Sequence, residues 1–144
     1  DAEGEKVFVS DNQPSEAEIK EILNSFVGEQ MQVPPIFSAL KMGGQPLYKM
    51  ARQGTDLAEE NLGARRITIY DLRFLSYEYP RLKFAVDVSS GTYIRSLARD
   101  IGKKLGTGAY LSGLVRSKLG TVNLADCVAL DDLTEENYLE FLKE

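Results

Sequence analysis

Histidine is absent from the 144 residues and cysteine occurs once, as Cys127. Without histidine there is no Ser-His-Asp triad, no His-ligated metal and no His general base. A single cysteine excludes a disulfide framework or thiolate cluster within the chain and fits a reducing compartment. Any catalysis must therefore use Asp, Glu, Tyr, Lys, Arg or backbone groups. Long apolar runs are also lacking; the longest are a few residues, against the roughly 20 needed to cross a bilayer. The start, Asp1-Ala2-Glu3-Gly4-Glu5, is acidic where a secretory signal is basic and then apolar. It has no leading Met, so the expectation is a processed or cut piece that is soluble and cytoplasmic, with no membrane partner.

What is present is ordinary for a folded chain: 43% hydrophobic and 27% charged residues. The length suits one domain, or part of one. A net charge of −5, taken whole, argues against a nucleic-acid partner. The charge is uneven, however. Residues 1–40 hold 2 basic and 8 acidic side chains, and residues 121–144 hold 1 and 7. The stretch 41–120 holds 14 basic and 7 acidic, a net of +7. A basic middle between acidic ends is a candidate footprint for a polyanion. An ordinary mixed-charge surface with acidic terminal helices would read the same way.

Local patterns predict the elements. A short strand is expected over 5–9. Ser15 and Glu18 form a capping box, and Ile19, Ile22, Leu23, Phe26 and Val27 follow at helical spacing up to Gly28. Pro34 and Pro35 fix an extended backbone. Residues 36–41 pair back through the turn at 42–46, and 47–53 form a short helix closed by Gly54. A polar loop covers 55–64. From Arg66 to Tyr79 the chain reads as strand with a phase change: Ile67 and Ile69 share one face, Tyr70, Leu72 and Phe74 the other. That signals a bulge or a strand apolar on both sides. Leu82, Phe84, Val86 and Val88 alternate with polar or small residues, a half-buried strand. Ser90-Gly91-Thr92 turns into a helix with the stripe Ile94, Leu97, Ala98, Ile101 and Leu105. Strands are expected at 109–116 and 122–124, and Thr134 caps a last helix carrying Tyr138, Phe141 and Leu142. Strands and helices without a βαβ rhythm point to an α+β fold.

Two groups of residues could carry chemistry. Arg95 sits in the first turn of the helix after Gly91, where a cation opposes the helix dipole by roughly 0.3–1 kcal/mol. It is either a surface residue tolerating that penalty or a planar fork held for a carboxylate or phosphate. Arg99 lies one turn further on the same side. Tyr93, at the strand–helix junction, either stacks on a base or is a core aromatic. The second group is Lys41, Tyr48, Lys49 and Arg52, an interleaving that suits phosphate contact with base stacking and suits a solvated helix face equally. Gly43-Gly44 lacks the following Lys-Ser/Thr of a phosphate loop and reads as turn chemistry. Asp1, Glu3 and Glu5 lack the loop of a metal site.

The order of several motifs is more specific. Asp-Ala-Glu-Gly at 1–4, Gln-Val-Pro-Pro-Ile-Phe-Ser-Ala-Leu-Lys at 32–41 and Leu-Tyr-Lys-Met-Ala-Arg-Gln-Gly at 47–54 come in turn. Arg-Ile-Thr-Ile-Tyr-Asp-Leu at 66–72, Gly-Thr-Tyr-Ile-Arg at 91–95, Asp-Ile-Gly-Lys-Lys-Leu-Gly at 100–106 and Leu-x-x-Leu-x-Arg at 111–116 follow. Together they closely resemble the bacterial TruB family of tRNA pseudouridine-55 synthases, over roughly residues 1–130.

The resemblance implies a mixed-sheet α+β synthase core, present in part as a single truncated domain over 1–144. It implies isomerisation of a uridine in the T loop of tRNA without metal or organic cofactor. The glycosidic bond breaks, the ring rejoins through carbon, and the base must leave its stack. By the same resemblance, Arg95 pairs with and orients the catalytic aspartate, Tyr93 lines the pocket of the flipped base and Leu114 forms part of its apolar wall. Lys41 and Arg52 contact the RNA backbone, and Tyr48, Lys49, Arg99 and Arg116 join the RNA surface.

The sequence also departs from the family. The catalytic Asp lies in a Gly-x-Leu-Asp-Pro motif upstream of the Asp-Ala-Glu-Gly segment, and no such motif occurs in these 144 residues. A base-stacking Tyr and the C-terminal RNA-binding extension of many members are expected to be missing too. Ser89-Ser90 and Val115 stand where members often carry basic residues. The expectation is a chain inactive by itself, with self-association through an open sheet edge or uncovered core face. The alternative is a non-catalytic RNA-binding or assembly module.

Overall fold

Ser15 opens the first helix, α1 (Glu16–Asn24), with the reciprocal bonds that its capping box predicts. The Ser15 hydroxyl accepts from the Glu18 amide at 3.3 Å, and the Glu18 carboxylate accepts from the Ser15 amide at 2.7 Å. Two otherwise orphaned donors are thereby satisfied. The Ser15 hydroxyl first, and its amide second, hold the Glu18 carboxyl below the usual carboxylate range. The helix ends earlier than its apolar spacing predicts. Ser25 turns its hydroxyl onto the Ile22 carbonyl at 2.6 Å, and Phe26 and Val27 already lie in the exit turn. Gly28, at φ 113°, then starts a strand rather than stopping a helix.

The computed structural model describes residues 1–4, 7, 9–54 and 62–141. After α1 come β1 (Gly28–Gln32), β2 (Lys41–Met42), β3 (Gln45–Pro46), α2 (Leu47–Arg52), β4 (Arg65–Glu78), β5 (Arg81–Val88) and α3 (Ile94–Leu105). β6 (Lys118–Leu119), β7 (Val122–Asn123) and three short 3-10 turns follow among the described residues. Most of the strand expected over 5–9 and of the loop over 55–64 lies outside the described residues.

The main sheet has the order β1-β4-β5, and every pairing in it is antiparallel. The architecture is α+β; the sheet expected to be mixed shows antiparallel pairs alone among the described residues. The phase change in β4 takes the form of two bulges. Ile69 faces Val88 and Asp71 faces Asp87, which leaves Tyr70 over; Phe74 faces Phe84 and Ser76 faces Lys83, which leaves Leu75 over. Each bulge resets the alternation, so that Ile67, Ile69, Leu72, Phe74 and Tyr77 all join one apolar cluster. Ile19, Leu23 and Phe26 from α1 and its exit, with Leu97 and Ile101 from α3, complete that core. Each fully buried Leu or Ile contributes about 1.5–3 kcal/mol. A second cluster under α2 joins Leu47 and Leu62 to Val33, Ile36 and Leu40.

The molecule divides into two compact units, residues 1–112 and 113–144. In the first, α3 ends at Gly106 in the left-handed region and the chain doubles back along it. A Cβ on Gly102 would stand 2.3 Å from the Ala109 amide, so only glycine permits that approach. This return replaces the strand expected at 109–116, whose residues have no ladder partner among those described. The second unit holds the β6–β7 hairpin and the 3-10 turns, and none of its described residues is fully buried. Its expected last helix is a 3-10 turn, Tyr138–Phe141. Thr134 heads it as expected, its hydroxyl accepting from the Asn137 amide at 3.3 Å; Leu142 lies outside the described residues.

Candidate functional site

The passage from β5 to α3 is fixed before any functional side chain appears. Ser89 donates its amide to the Thr68 carbonyl at 2.8 Å, and its hydroxyl accepts from the Thr68 amide at 2.9 Å. The Thr92 hydroxyl donates to the Ser89 carbonyl at 2.8 Å, and Gly91 takes φ 82°. Tyr93 then caps α3 with extended backbone and no side-chain cap bond.

Four side chains bind the entry of α3 to the segment 32–37. The Gln32 carboxamide, 4% exposed, accepts from the Tyr93 amide at 2.8 Å and donates to its carbonyl at 3.1 Å. The Ser96 hydroxyl and Arg99 Nη2 both donate to the Val33 carbonyl, at 2.8 and 3.1 Å. Arg95 Nη2 donates to the Phe37 carbonyl at 2.7 Å. Pro34 and Pro35 offer no donors of their own, so the segment is held through its carbonyls.

The electrostatic conflict at Arg95 is resolved locally. A cation in the first turn opposes the dipole. The Phe37 carbonyl and the Asp1 carboxylate, 3.4 Å from Nη1, supply the compensating negative charge. Arg99 Nε pairs with Asp100 at 2.9 Å. Both guanidinium groups line one cavity of about 250 Å³ with Asp1, Phe37, Tyr110 and Leu111. A planar fork that holds one carbonyl and one carboxylate can fix the direction of an anion beside it.

Lys41 lies on the β2–β3 hairpin, which Gly43 and Gly44 close with φ 57° and 85°. Tyr48, Lys49 and Arg52 lie on α2, all exposed, with the Arg52 guanidinium 5.8 Å from the Tyr48 ring centre. The same segment joins this group to α3. The Ser38 and Leu40 carbonyls accept the Tyr48 and Leu47 amides at 3.0 and 2.7 Å, beginning one residue beyond the carbonyl that holds Arg95. Tyr93 is half-buried and is not among the residues lining the cavity. Leu114 and Arg116 belong to the second unit and are exposed there.

Sequence reasoning missed Gln32, Ser96 and the carbonyls of Val33 and Phe37. A signal existed only for Gln32: it faces inward with Gly28 and Gln30 on β1, and an inward glutamine needs partners. Without β1 in the predicted order, its facing was not readable. Among the described residues, no group of three or more His, Cys, Asp or Glu is placed to hold a metal, and no helix is long and apolar enough to cross a membrane.

Comparison with known proteins places two family models end to end on the chain. The model for TruB family pseudouridylate synthase, N-terminal domain, matches residues 1–94. That for the tRNA pseudouridylate synthase B C-terminal domain matches 95–143, continuing past the last motif read from the sequence. A tRNA pseudouridine synthase B of Clostridium acetobutylicum is 45% identical over 140 residues, 97% of this chain and 47% of that protein. The Pseudomonas fluorescens protein of the same name is 46% identical over 133 residues, 92% of this chain and 43% of that one. The chain thus spans about half the length of these relatives. Among solved structures, a Cbf5-Nop10-Gar1 complex matches with TM-score 0.66 and 31% identity, over 85% of this chain and 31% of that one. An H/ACA RNP bound to a substrate RNA containing 2'-deoxyuridine matches with TM-score 0.61 and 28% identity, over 85% and 29%.

Proposed function

The chain belongs to the TruB family of pseudouridylate synthases, and from that membership we propose that it supplies the C-terminal part of a tRNA pseudouridine synthase's catalytic domain. The observation that carries this reading is the unbroken run of two family models along 1–94 and 95–143. The substrate is a uridine in the T stem-loop of tRNA, flipped from its stack. Arg95 pairs with the nucleophilic aspartate. Its Nη1 already donates to a carboxylate, that of Asp1, while the Phe37 carbonyl fixes the other arm of the fork. Tyr93 lines the pocket of the flipped base. Lys41, Tyr48, Lys49, Arg52, Arg99 and Arg116 meet the RNA, and no cofactor takes part. Gly-x-Leu-Asp-Pro does not occur in the 144 residues, so this chain alone carries out no turnover. Among the described residues the outer edges of β1 and β5 carry no further strand, which favours self-association of the isolated chain, read by light scattering across concentrations.

The test is pseudouridine formation in a T-arm stem-loop, followed by mass-tagging. The full-length gene product containing these residues is expected to convert the uridine, and the 144-residue chain is not. Turnover by the chain alone would overthrow the assignment of the nucleophile to a segment outside it. A non-catalytic RNA-binding or assembly module is favoured by the +7 stretch together with the absent motif. An in-frame Gly-x-Leu-Asp-Pro upstream of Asp1 decides for the enzyme, and a start codon near Asp1 decides for the module.

A further inference from the structure

We propose that Gln32 is a positioning residue: its carboxamide sets the backbone of Tyr93, and through it the first turn of α3 that carries Arg95. The geometry is that of a missing strand neighbour. One planar group offers an acceptor to the Tyr93 amide at 2.8 Å and a donor to the Tyr93 carbonyl at 3.1 Å. That exchange of two bonds with one residue is what a paired strand residue does. The Tyr93 carbonyl also receives the Leu97 amide at 3.0 Å, so Gln32 fixes the first hydrogen bond of α3 together with its cap. The Tyr93 amide precedes the helix and has no intrahelical acceptor, and among the described residues the Gln32 carboxamide satisfies it. The next residue, Val33, takes Ser96 and Arg99 on its carbonyl, so the end of β1 is registered on successive turns of one helix.

Glutamine is the residue type this role requires. A carboxylate would lose the donor and face the Tyr93 carbonyl with like charge. Asparagine would fall short by about 1.5 Å, one carbon–carbon bond. At 4% exposure no water replaces a lost bond cheaply, so the alternative is movement of the helix entry. Arg95 lies two residues beyond Tyr93, and a displacement of about 1 Å at a reacting group can cost on the order of 100-fold in rate.

Gln30 is an internal control. It lies on the same strand, faces the same way, and donates to the Phe26 carbonyl at the exit of α1, not to α3. In the full-length gene product, Gln32→Met is expected to lower kcat for a T-arm stem-loop by about 10- to 100-fold, with KM within about 3-fold. Gln30→Met is expected to lower the melting temperature and leave kcat unchanged. In the 144-residue chain, Gln32→Met should raise amide exchange at Tyr93 and Leu97 while 98–105 stays protected. Should Gln32→Met fail to fold, Gln32→Asn replaces it with the same expected split. Equal kcat losses in the two variants, a loss confined to KM, or unchanged exchange at Tyr93 and Leu97 would overturn the proposal. The catalytic half rests on the synthase reading: a wild-type protein that forms no pseudouridine removes that reading, and the exchange experiment still decides what Gln32 does.

Discussion

The cations of α3 and those around α2 carry the same charge in different surroundings. Arg95 and Arg99 have side chains 33% and 31% exposed, and each gives an N–H to a carbonyl of the segment 33–37 while a carboxylate stands beside it. Lys41, Lys49 and Arg52 are exposed, and among the described residues no carbonyl or carboxylate engages them. A guanidinium held at two points has a fixed direction and can orient a reacting group. A solvated cation supplies attraction without direction, screened beyond about 8–10 Å at ordinary salt. Sequence charge alone does not separate the two; what separates them is whether backbone carbonyls are aimed at the side chain.

The widest break of this comparison is at Arg95. In the full-length gene product, Arg95→Ala is expected to lower the single-turnover rate of pseudouridine formation by about 10³-fold, on the scale of losing one oriented catalytic donor. Stem-loop affinity should change by no more than about 3-fold. Arg95→Lys should do nearly as badly, because an ammonium cannot hold the Phe37 carbonyl and a carboxylate in one plane. A rate kept by the lysine variant would place Arg95 with the solvated cations. Gly102→Ala comes next and attacks what supports α3. The new Cβ meets the Ala109 amide at 2.3 Å, so the return segment that lines the cavity must move. The expected cost is about 1–3 kcal/mol, read as a melting temperature lower by roughly 10 °C. An unshifted melting curve would show that the 107–111 segment does not need this approach.

How far the sequence foretold these results follows the range of the interactions. The capping box of α1, the Gly43-Gly44 turn, α2 and the stripe of α3 were readable because a few neighbouring residues decide each. The bulges in β4 were half readable: the phase change showed that alternation failed, but only pairing with β5 showed that Tyr70 and Leu75 were the extra residues. β1 was not readable, since Gly28-Glu-Gln-Met-Gln32 has no apolar alternation and becomes a strand by lying against Arg65–Ile69. The false strand at 109–116 fails for the converse reason: its residues are strand-like, but Gly102 draws the chain along α3 instead. At the site, residue types and spacing singled out Arg95 and Arg99, whereas their carbonyl partners lie 58 and 66 positions away and needed the fold.

The α2 side of the comparison predicts a smaller effect of another kind. Replacing Lys49 and Arg52 by Ala should weaken binding of the T-arm stem-loop by a few-fold and leave the rate at saturating RNA unchanged. The slope of log affinity against log salt should become shallower by about 1 for each phosphate no longer neutralised. A double variant with wild-type salt dependence would remove α2 from the RNA surface.

The smallest effect tests whether a group bonded to backbone really escapes that screening. Glu18 is exposed like the α2 cations, but its carboxylate accepts from the Ser15 amide and hydroxyl, both at 2.7 Å. Those bonds lower its folded pKa relative to the unfolded chain. The sign follows: the unfolded state binds the proton more readily, so the contribution is complete above the ordinary glutamate range and is lost as pH falls through the lowered value. Glu18→Gln keeps an acceptor for the Ser15 amide and cannot ionise. It should therefore remove this part of the acid destabilisation, while Ser15→Ala should remove the same part and also lower stability at neutral pH by about 1 kcal/mol. Because the stabilisation comes from short bonds to one residue, the difference between wild type and Glu18→Gln should be nearly the same at low and high salt. If it instead faded with salt as the α2 effect does, Glu18 would be acting through its charge on the helix dipole and not through the capping box.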